Sequence, residues 1–332
     1  MSDEPCALAA AISEATCPDD PPLLQVNTLS RRFGDIVAVC DVSFSIARGE
    51  IVGFLGPNGA GKSTTMQMLA GTLAPSTGSI YIDGIDLLEN PLAAKAKIGY
   101  LPEHPPLYRE QYVDELLMFC AALRGLPRGQ RKAAVARAKF RTGLNDVGKR
   151  VIGNLSKGYQ QRVGIAQALV HDPAIVILDE PTSSLDPNQL RDIRALIAGL
   201  RAQHCVILST HILAEVQTVC DRVLMLNHGR ILLDRPLADI TRSDQNIHNI
   251  FLRDPCSPQQ LRQLGDLRGV HEVVMLKEHG LRIEHDGEDT TLDAIVASCS
   301  SLGIRELSKQ QHSLEELFIA LTLSDTAEAD SC

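Results

Sequence analysis

Nine consecutive residues, Gly56-Pro57-Asn58-Gly59-Ala60-Gly61-Lys62-Ser63-Thr64, fit the spacing G-x-x-x-x-G-K-[ST]. Glycines let backbone N–H groups close around an anion, and the N-terminus of a helix leading out of the loop adds positive potential. Lys62 is then placed to reach the outer phosphates of a nucleotide, and the Ser63 hydroxyl to ligate Mg²⁺. Much later, four apolar residues, Ile175-Val176-Ile177-Leu178, run into Asp179-Glu180. A strand of that kind can deliver both carboxylates to the C-terminal edge of a parallel sheet, where ligands of such folds bind. Asp179 would hold Mg²⁺ through water, and Glu180 would polarise the attacking water as general base. Alone, the acidic pair reads more simply as a strand ending in solvent. Paired with the phosphate loop, it points to nucleotide chemistry.

These residues need elements to hold them. Short apolar runs at Leu24–Thr28, Val37–Val39, Val42–Ile46 and Ile51–Leu55 predict strands, the last leading into the phosphate loop and the helix Ser63–Gly71. Gly78–Asp83 predicts another strand, closed by an Asp83-Gly84 turn, and Lys97–Leu101 a further one. Within 111–150, Val113, Leu116, Leu117, Cys120 and Leu123 recur at three- and four-residue spacing, which predicts helices. Ile175–Leu178 and Val206–Ser209 suit strands buried on both faces of a parallel sheet, separated by a helix over Gln189–Gln203. Val223–Leu226 and Ile231–Leu233 flank His228-Gly229 as a hairpin. Beyond it the pattern reads strand Ile247–Leu252, helix Pro258–Leu264, strands Val270–Met275 and Leu281–Ile283, helix Leu292–Leu302, strand Ile304–Leu307 and helix Leu314–Leu323. Its first six elements follow the β-α-β-β-α-β order of a ferredoxin-like α+β module.

Charge and composition narrow the function classes. The 332 residues carry 41 acids against 32 bases, a net −9, which argues against a bulk electrostatic nucleic-acid binder. Residues 1–30 and 324–332 hold eight acids and no Lys or Arg, so the ends account for −8. Residues 1–22 and 324–332 are expected to be acidic tails, the first of them disordered. Between Arg124 and Arg150, nine bases face one acid, Asp146, a local +8. That segment is either a solvated helical face or a patch for anionic lipid or an acidic partner. No run approaches the 18 or more apolar residues of a membrane span, and an acidic N-terminus is unlike a signal peptide, so a cytoplasmic chain is expected. Nine cysteines lie singly with no C-x-x-C pair, which predicts reduced thiols.

Between the two acidic and phosphate-loop motifs stands Leu155-Ser156-Lys157-Gly158-Tyr159-Gln160-Gln161-Arg162, followed by the apolar run Val163–Val170. Read locally, Ser156 and Gly158 are a helix N-cap and a turn. In this order, however, the segment resembles the L-S-G-G-Q signature of ABC transporter nucleotide-binding subunits, and the resemblance covers residues 23–235. It implies an ABC-type P-loop NTPase, α/β with antiparallel β and helical subdomains, the latter about 104–160. The expected division is a nucleotide-binding domain over 23–240 and an accessory domain over 241–323. The resemblance further implies that Ser156 and Gly158 face ATP held by a second subunit, and that Phe33 stacks on adenine, where the family more often has Tyr. It places Ser184-Leu185-Asp186 in the loop linking two hydrolytic sites and makes His211 the switch histidine that orients water with Glu180.

Three departures stand out. Glu103 occupies the position where the family has a Mg²⁺-ligating Gln, Lys157 replaces a signature Gly, and Tyr159 replaces the signature Gln. Y-L-P-E, L-S-K-G-Y and S-L-D-P-N-Q together resemble the branch of gliding-motility-associated and other ABC-2-type export ATPases. The implied protein is an ATPase subunit that binds ATP and Mg²⁺, forms a homodimer, and drives a separate ABC-2-type transmembrane permease from the cytoplasmic face of the inner membrane. Two other readings are a soluble ABC ATPase acting on ribosomes or DNA, and an ATP-binding regulatory subunit with little turnover.

Overall fold

The structure, a computed structural model, describes residues 21–183, 185–241, 246–309 and residue 318. Its elements in chain order begin with strands Leu24–Phe33 (β1), Ile36–Ile46 (β2) and Ile51–Leu55 (β3), then helix Lys62–Leu69 (α1). Strands Thr77–Ile82 (β4) and Ile85–Asp86 (β5), helix Pro91–Ala96 (α2) and strand Ile98–Leu101 (β6) follow. Three helices come next: Val113–Leu123 (α3), Arg128–Thr142 (α4) and Lys157–Leu169 (α5). Strand Ile175–Asp179 (β7), helix Pro187–Leu200 (α6), strand Cys205–Thr210 (β8) and helix Leu213–Val219 (α7) lead to the hairpin Arg222–Asn227 (β9) and Arg230–Pro236 (β10), then helix Leu237–Thr241 (α8). The remainder comprises Ile247–Leu252 (β11), Pro258–Gly265 (α9), Val270–Met275 (β12), Gly280–His285 (β13), Asp289–Ser300 (α10) and Ile304–Lys309 (β14).

The described chain divides into two compact units between Leu237 and Ala238. In the first, a six-stranded sheet has the order β10-β9-β3-β8-β7-β6, parallel throughout except for the β9–β10 hairpin. Its inner strands explain their own composition. Ile175 and Ile177 of β7 and Ile207 of β8 pack toward the core shared with the antiparallel sheet β2-β1-β4-β5. Val176, Leu178, Val206 and Leu208 alternate onto the opposite face, against α5 and α6. Side chains that leave a strand on both faces into apolar layers must all be apolar, hence the unbroken runs.

The antiparallel sheet is more continuous than its pattern predicts. β1 continues past Thr28 to Phe33, and β2 runs unbroken through Asp41. Thr28 and Asp41 take left-handed φ values of 45° and 51°, which bulges both strands without ending them. The Ser30 hydroxyl donates to Asp41 Oδ1 at 3.1 Å and accepts the Asp41 N–H at 2.9 Å, so the polar break in the pattern is a bridge across the bulge.

α3, α4 and α5 enclose a separate apolar core of Val113, Leu116, Leu117, Val135, Ala138, Val163 and Ala166. α5 is two-sided: Val163 and Ala166 face this core, while Ile165 and Leu169 face the parallel sheet. The second unit is a four-stranded antiparallel sheet, β12-β13-β11-β14, with β-α-β-β-α-β connectivity and its own core around Ile250, Leu281, Ile283 and Ile295. The predicted helix Leu314–Leu323 lies outside the described residues apart from residue 318, as do residues 1–20 and 324–332. The six described cysteines are free thiols.

Candidate functional site

Four neighbouring parallel strands, β3, β8, β7 and β6, end at one edge of the sheet. The segments that follow them carry the phosphate loop, His211, Glu180 and Glu103. They meet at a cavity of about 450 Å³ lined by Asn58, Gly59, Gly61, Lys62, Ser63, Thr64, Glu103, Glu180, Ser183, His211 and Ala38.

The phosphate loop fits here because two of its glycines lie hard against neighbouring backbone. A β-carbon on Gly56 would come 2.3 Å from the Leu226 carbonyl oxygen, and one on Gly61 2.5 Å from that of Ala38. Gly61 also takes φ +99° as it caps α1, a conformation L side chains resist. Lys62 is buried and donates to the carbonyls of Gly56 and Pro57 at 2.8 and 3.1 Å. Burial lowers its pKa, opposed by the nearby charges of Glu180, Asp179 and Glu103.

Asp179 closes β7 and is buried. The Ser63 hydroxyl donates to its Oδ1 at 3.1 Å, and the Ser209 hydroxyl donates to the same oxygen. Burial raises the Asp179 pKa, opposed by those hydrogen bonds. Ser63 and Asp179 share a hydrogen bond and Glu103 lines the same cavity as Ser63, so all three bring oxygen atoms, the donors that hard divalent cations take.

Glu180 follows in the left-handed region, φ 47°, with its N–H donating to Ser209 Oγ at 3.0 Å. A non-glycine residue held there is strained, and such strain is maintained by surrounding contacts. It turns the carboxylate toward His211, whose Nδ1 lies 3.1 and 3.0 Å from the two Glu180 oxygens. Lys62 Nζ stands 3.8 Å from Glu180 Oε1. A base, an imidazole and an ammonium therefore converge where a terminal phosphate and a water can meet.

Eight expected site residues do not line this cavity: Gly56, Pro57 and Ala60 belong to the phosphate loop, Asp179 is reached through Ser63, and the other four are Phe33, Ser156, Gly158 and Asp186. Phe33 is exposed at the end of β1, with the Arg31 guanidinium 4.6 Å from its ring centroid. Ser156 caps α5, accepting from the Tyr159 N–H at 3.4 Å. Buried Gly158 abuts α6: a β-carbon there would come 2.8 Å from the Gln189 side chain. Asp186 caps α6, its Oδ1 accepting from the N–H groups of Asn188 and Gln189 at 3.0 and 2.9 Å. Ser184 lies outside the described residues.

Ser209 is the functional neighbour that motif reading passes over. It ends the apolar run of β8 immediately before Thr210 and His211, and a serine closing an apolar run two residues before a motif histidine was its only signal.

Residues 39–183 match the family model described as ABC transporter. "ABC transporter ATP-binding protein NatA" of Bacillus subtilis is 39% identical over 238 residues, 69% of this chain and 97% of that protein. "Linearmycin resistance ATP-binding protein LnrL" of the same organism is 32% identical over 311 residues, 90% of this chain and 98% of the relative. A solved ATP-binding subunit of an ABC transporter superposes with a TM-score of 0.60 at 33% identity, covering 66% of this chain and 92% of that one.

Proposed function

Because the chain belongs to the family of ABC transporter ATP-binding subunits and is an ATPase, we propose that it hydrolyses Mg-ATP at the 450 Å³ cavity and powers export through a separate transmembrane permease. The observation that carries the site assignment is the His211–Glu180 contact, 3.0 Å, beside Lys62 at the mouth of the phosphate loop. The backbone N–H groups of 56–64 and the start of α1 cradle the phosphates, and Lys62 exchanges its carbonyl partners for phosphate oxygens. Mg²⁺, when bound, neutralises phosphate charge; Ser63 and Asp179 would hold it, with Glu103 as a third oxygen donor. Glu180 accepts a proton from the attacking water, and His211 holds both the carboxylate and the water in line. Phe33 offers its exposed ring to adenine.

Ser156, Gly158 and Asp186 lie away from this cavity, which supports a homodimer in which each copy presents them to the nucleotide of the other. ATP shared across that interface favours the closed dimer, and hydrolysis removes the preference. No described helix is long and apolar enough to cross a membrane. Relatives named as ATP-binding proteins of transporters support a separate transmembrane partner, which we assign to the ABC-2 type from the signature variants. A relative named for linearmycin resistance supports export; a subunit that feeds ATP hydrolysis to such a permease would act at the cytoplasmic face of the inner membrane.

Glu180→Gln tests the assignment. Loss of the base is expected to lower turnover by about a hundredfold or more while leaving an ATP-trapped dimer that elutes at twice the monomer mass. Unchanged turnover would overturn it.

A further inference from the structure

Three consecutive side chains at the end of β8 each hold a different carboxylate. Ser209 donates to Asp179, His211 meets Glu180, and between them Thr210 Oγ1 donates to Glu215 Oε2 at 2.7 Å. The first two acids are absorbed by the nucleotide chemistry; the third is not. Glu215 sits on α7 at 1% exposure, and a carboxylate so deeply buried is costly unless it is bonded for a purpose.

Its hydrogen bonds to Thr210 and Ile212 fall on the turn that carries His211. Thr210 Oγ1, besides donating to Glu215, accepts the Ile212 N–H at 3.0 Å. The Ile212 carbonyl in turn accepts the Glu215 N–H at 3.1 Å. Residues on both sides of His211 are thus tied to Glu215, while the imidazole itself stays half-exposed over Glu180. Thr210 is wholly buried and pairs in register with Leu55, the last residue before the phosphate loop, so the turn is anchored to the same sheet edge as the phosphates. From behind, Arg194 of α6 approaches Glu215 Oε1 at 3.8 Å. Among the described residues, that oxygen and Arg194 Nε are both buried without a hydrogen-bond partner.

We propose that Glu215 is a positioning residue for hydrolysis: by accepting from Thr210 it fixes the 210–212 turn that aims His211 at Glu180. This rests on the reading of His211 and Glu180 given above. The test is a double-mutant cycle on the full chain, reading kcat and KM for ATP. Glu215→Ala and Thr210→Val are each expected to lower kcat about tenfold with KM within about twofold. Glu215→Gln, whose amide oxygen still accepts from Thr210, should stay within about threefold of the parent. In a His211→Ala background, neither Glu215→Ala nor Thr210→Val should lower kcat further, since the group they position is gone. Losses that multiply in that background, or full turnover in Glu215→Ala, would overturn the proposal while leaving His211 in place. Full turnover in His211→Ala alone would instead remove the assignment of His211, and this proposal with it. Should Glu215→Ala fail to fold, the near-isosteric Thr210→Val completes the cycle.

Discussion

Ser209 does two jobs with one hydroxyl. Its proton goes to Asp179, and its oxygen receives the N–H of Glu180 in the strained left-handed conformation. Ser209→Ala therefore removes one of the hydrogen bonds that oppose the desolvation of Asp179 and leaves the Glu180 N–H only the Ser209 backbone carbonyl, 3.2 Å away. A hydrogen bond to a charged group is worth about 1.5–3 kcal/mol, and a loss of about 1.4 kcal/mol in the transition state alone corresponds to a tenfold drop in kcat. Urea unfolding and steady-state ATPase rates would register both, and parental values for each would refute the role. The serine is invisible to motif reading because its importance comes from a neighbour on another strand. Asp179 and Ser209 face each other only through the β7–β8 register.

At the scale of elements, the helices carry much of their charge internally. In the basic stretch 124–150, Lys139 pairs with Asp114 at 2.6 Å and Arg141 with Asp172 at 2.8 Å. Arg124 and Arg131 donate to backbone carbonyls, so the local +8 is only partly available to an anionic surface. Two neutral histidines join these helices to the sheet. His171, just after α5, lies by its Nε2 3.0 Å from the Ile98 carbonyl at the start of β6, and burial pushes its pKa down to about 4. His204 donates from Nδ1 to Pro173 O at 2.7 Å and accepts from Arg141, and burial lowers its pKa as well. The unfolded chain binds protons at these sites below about pH 6.5, whereas the folded chain resists them. The stability they contribute is complete above that pH and is lost as pH falls below it; for His171 the loss runs down toward pH 4 and amounts to roughly 3 kcal/mol. His171→Gln keeps a donor for Ile98 and should show a smaller fall in urea midpoint between pH 7.5 and 5 than the parent. An equal fall would place the sensitivity elsewhere.

At the scale of the molecule, each unit has its own apolar core, and NatA matches 97% of its length with 69% of this chain. A chain ending at Thr241 is therefore expected to unfold cooperatively and to retain ATP binding, with a Tm within about 5 °C of the parent transition for that unit. Loss of a cooperative melt would show that the second unit is required for folding. The same contrast of scales describes how legible the protein was. The nine residues of the phosphate loop are contiguous, and the helix cap Ser156 acts within three residues, so local spacing carries both their identity and their form; Asp186, read only as a loop residue, turns out to cap α6. The unbroken apolar runs of β7 and β8 likewise announce strands buried on two faces. The bulges at Thr28 and Asp41 were hidden, because a polar residue ends a pattern whether the strand stops or bends. What the sequence by itself determined is the inventory and order of chemical groups along the chain. Only the tertiary structure decided that Ser63 and Asp179, separated by 116 residues, would share a hydrogen bond, and that Glu215 would sit behind His211. The physical reason is that parallel strands align residues by sheet order and register, and those are chosen by burying both faces of the sheet at once.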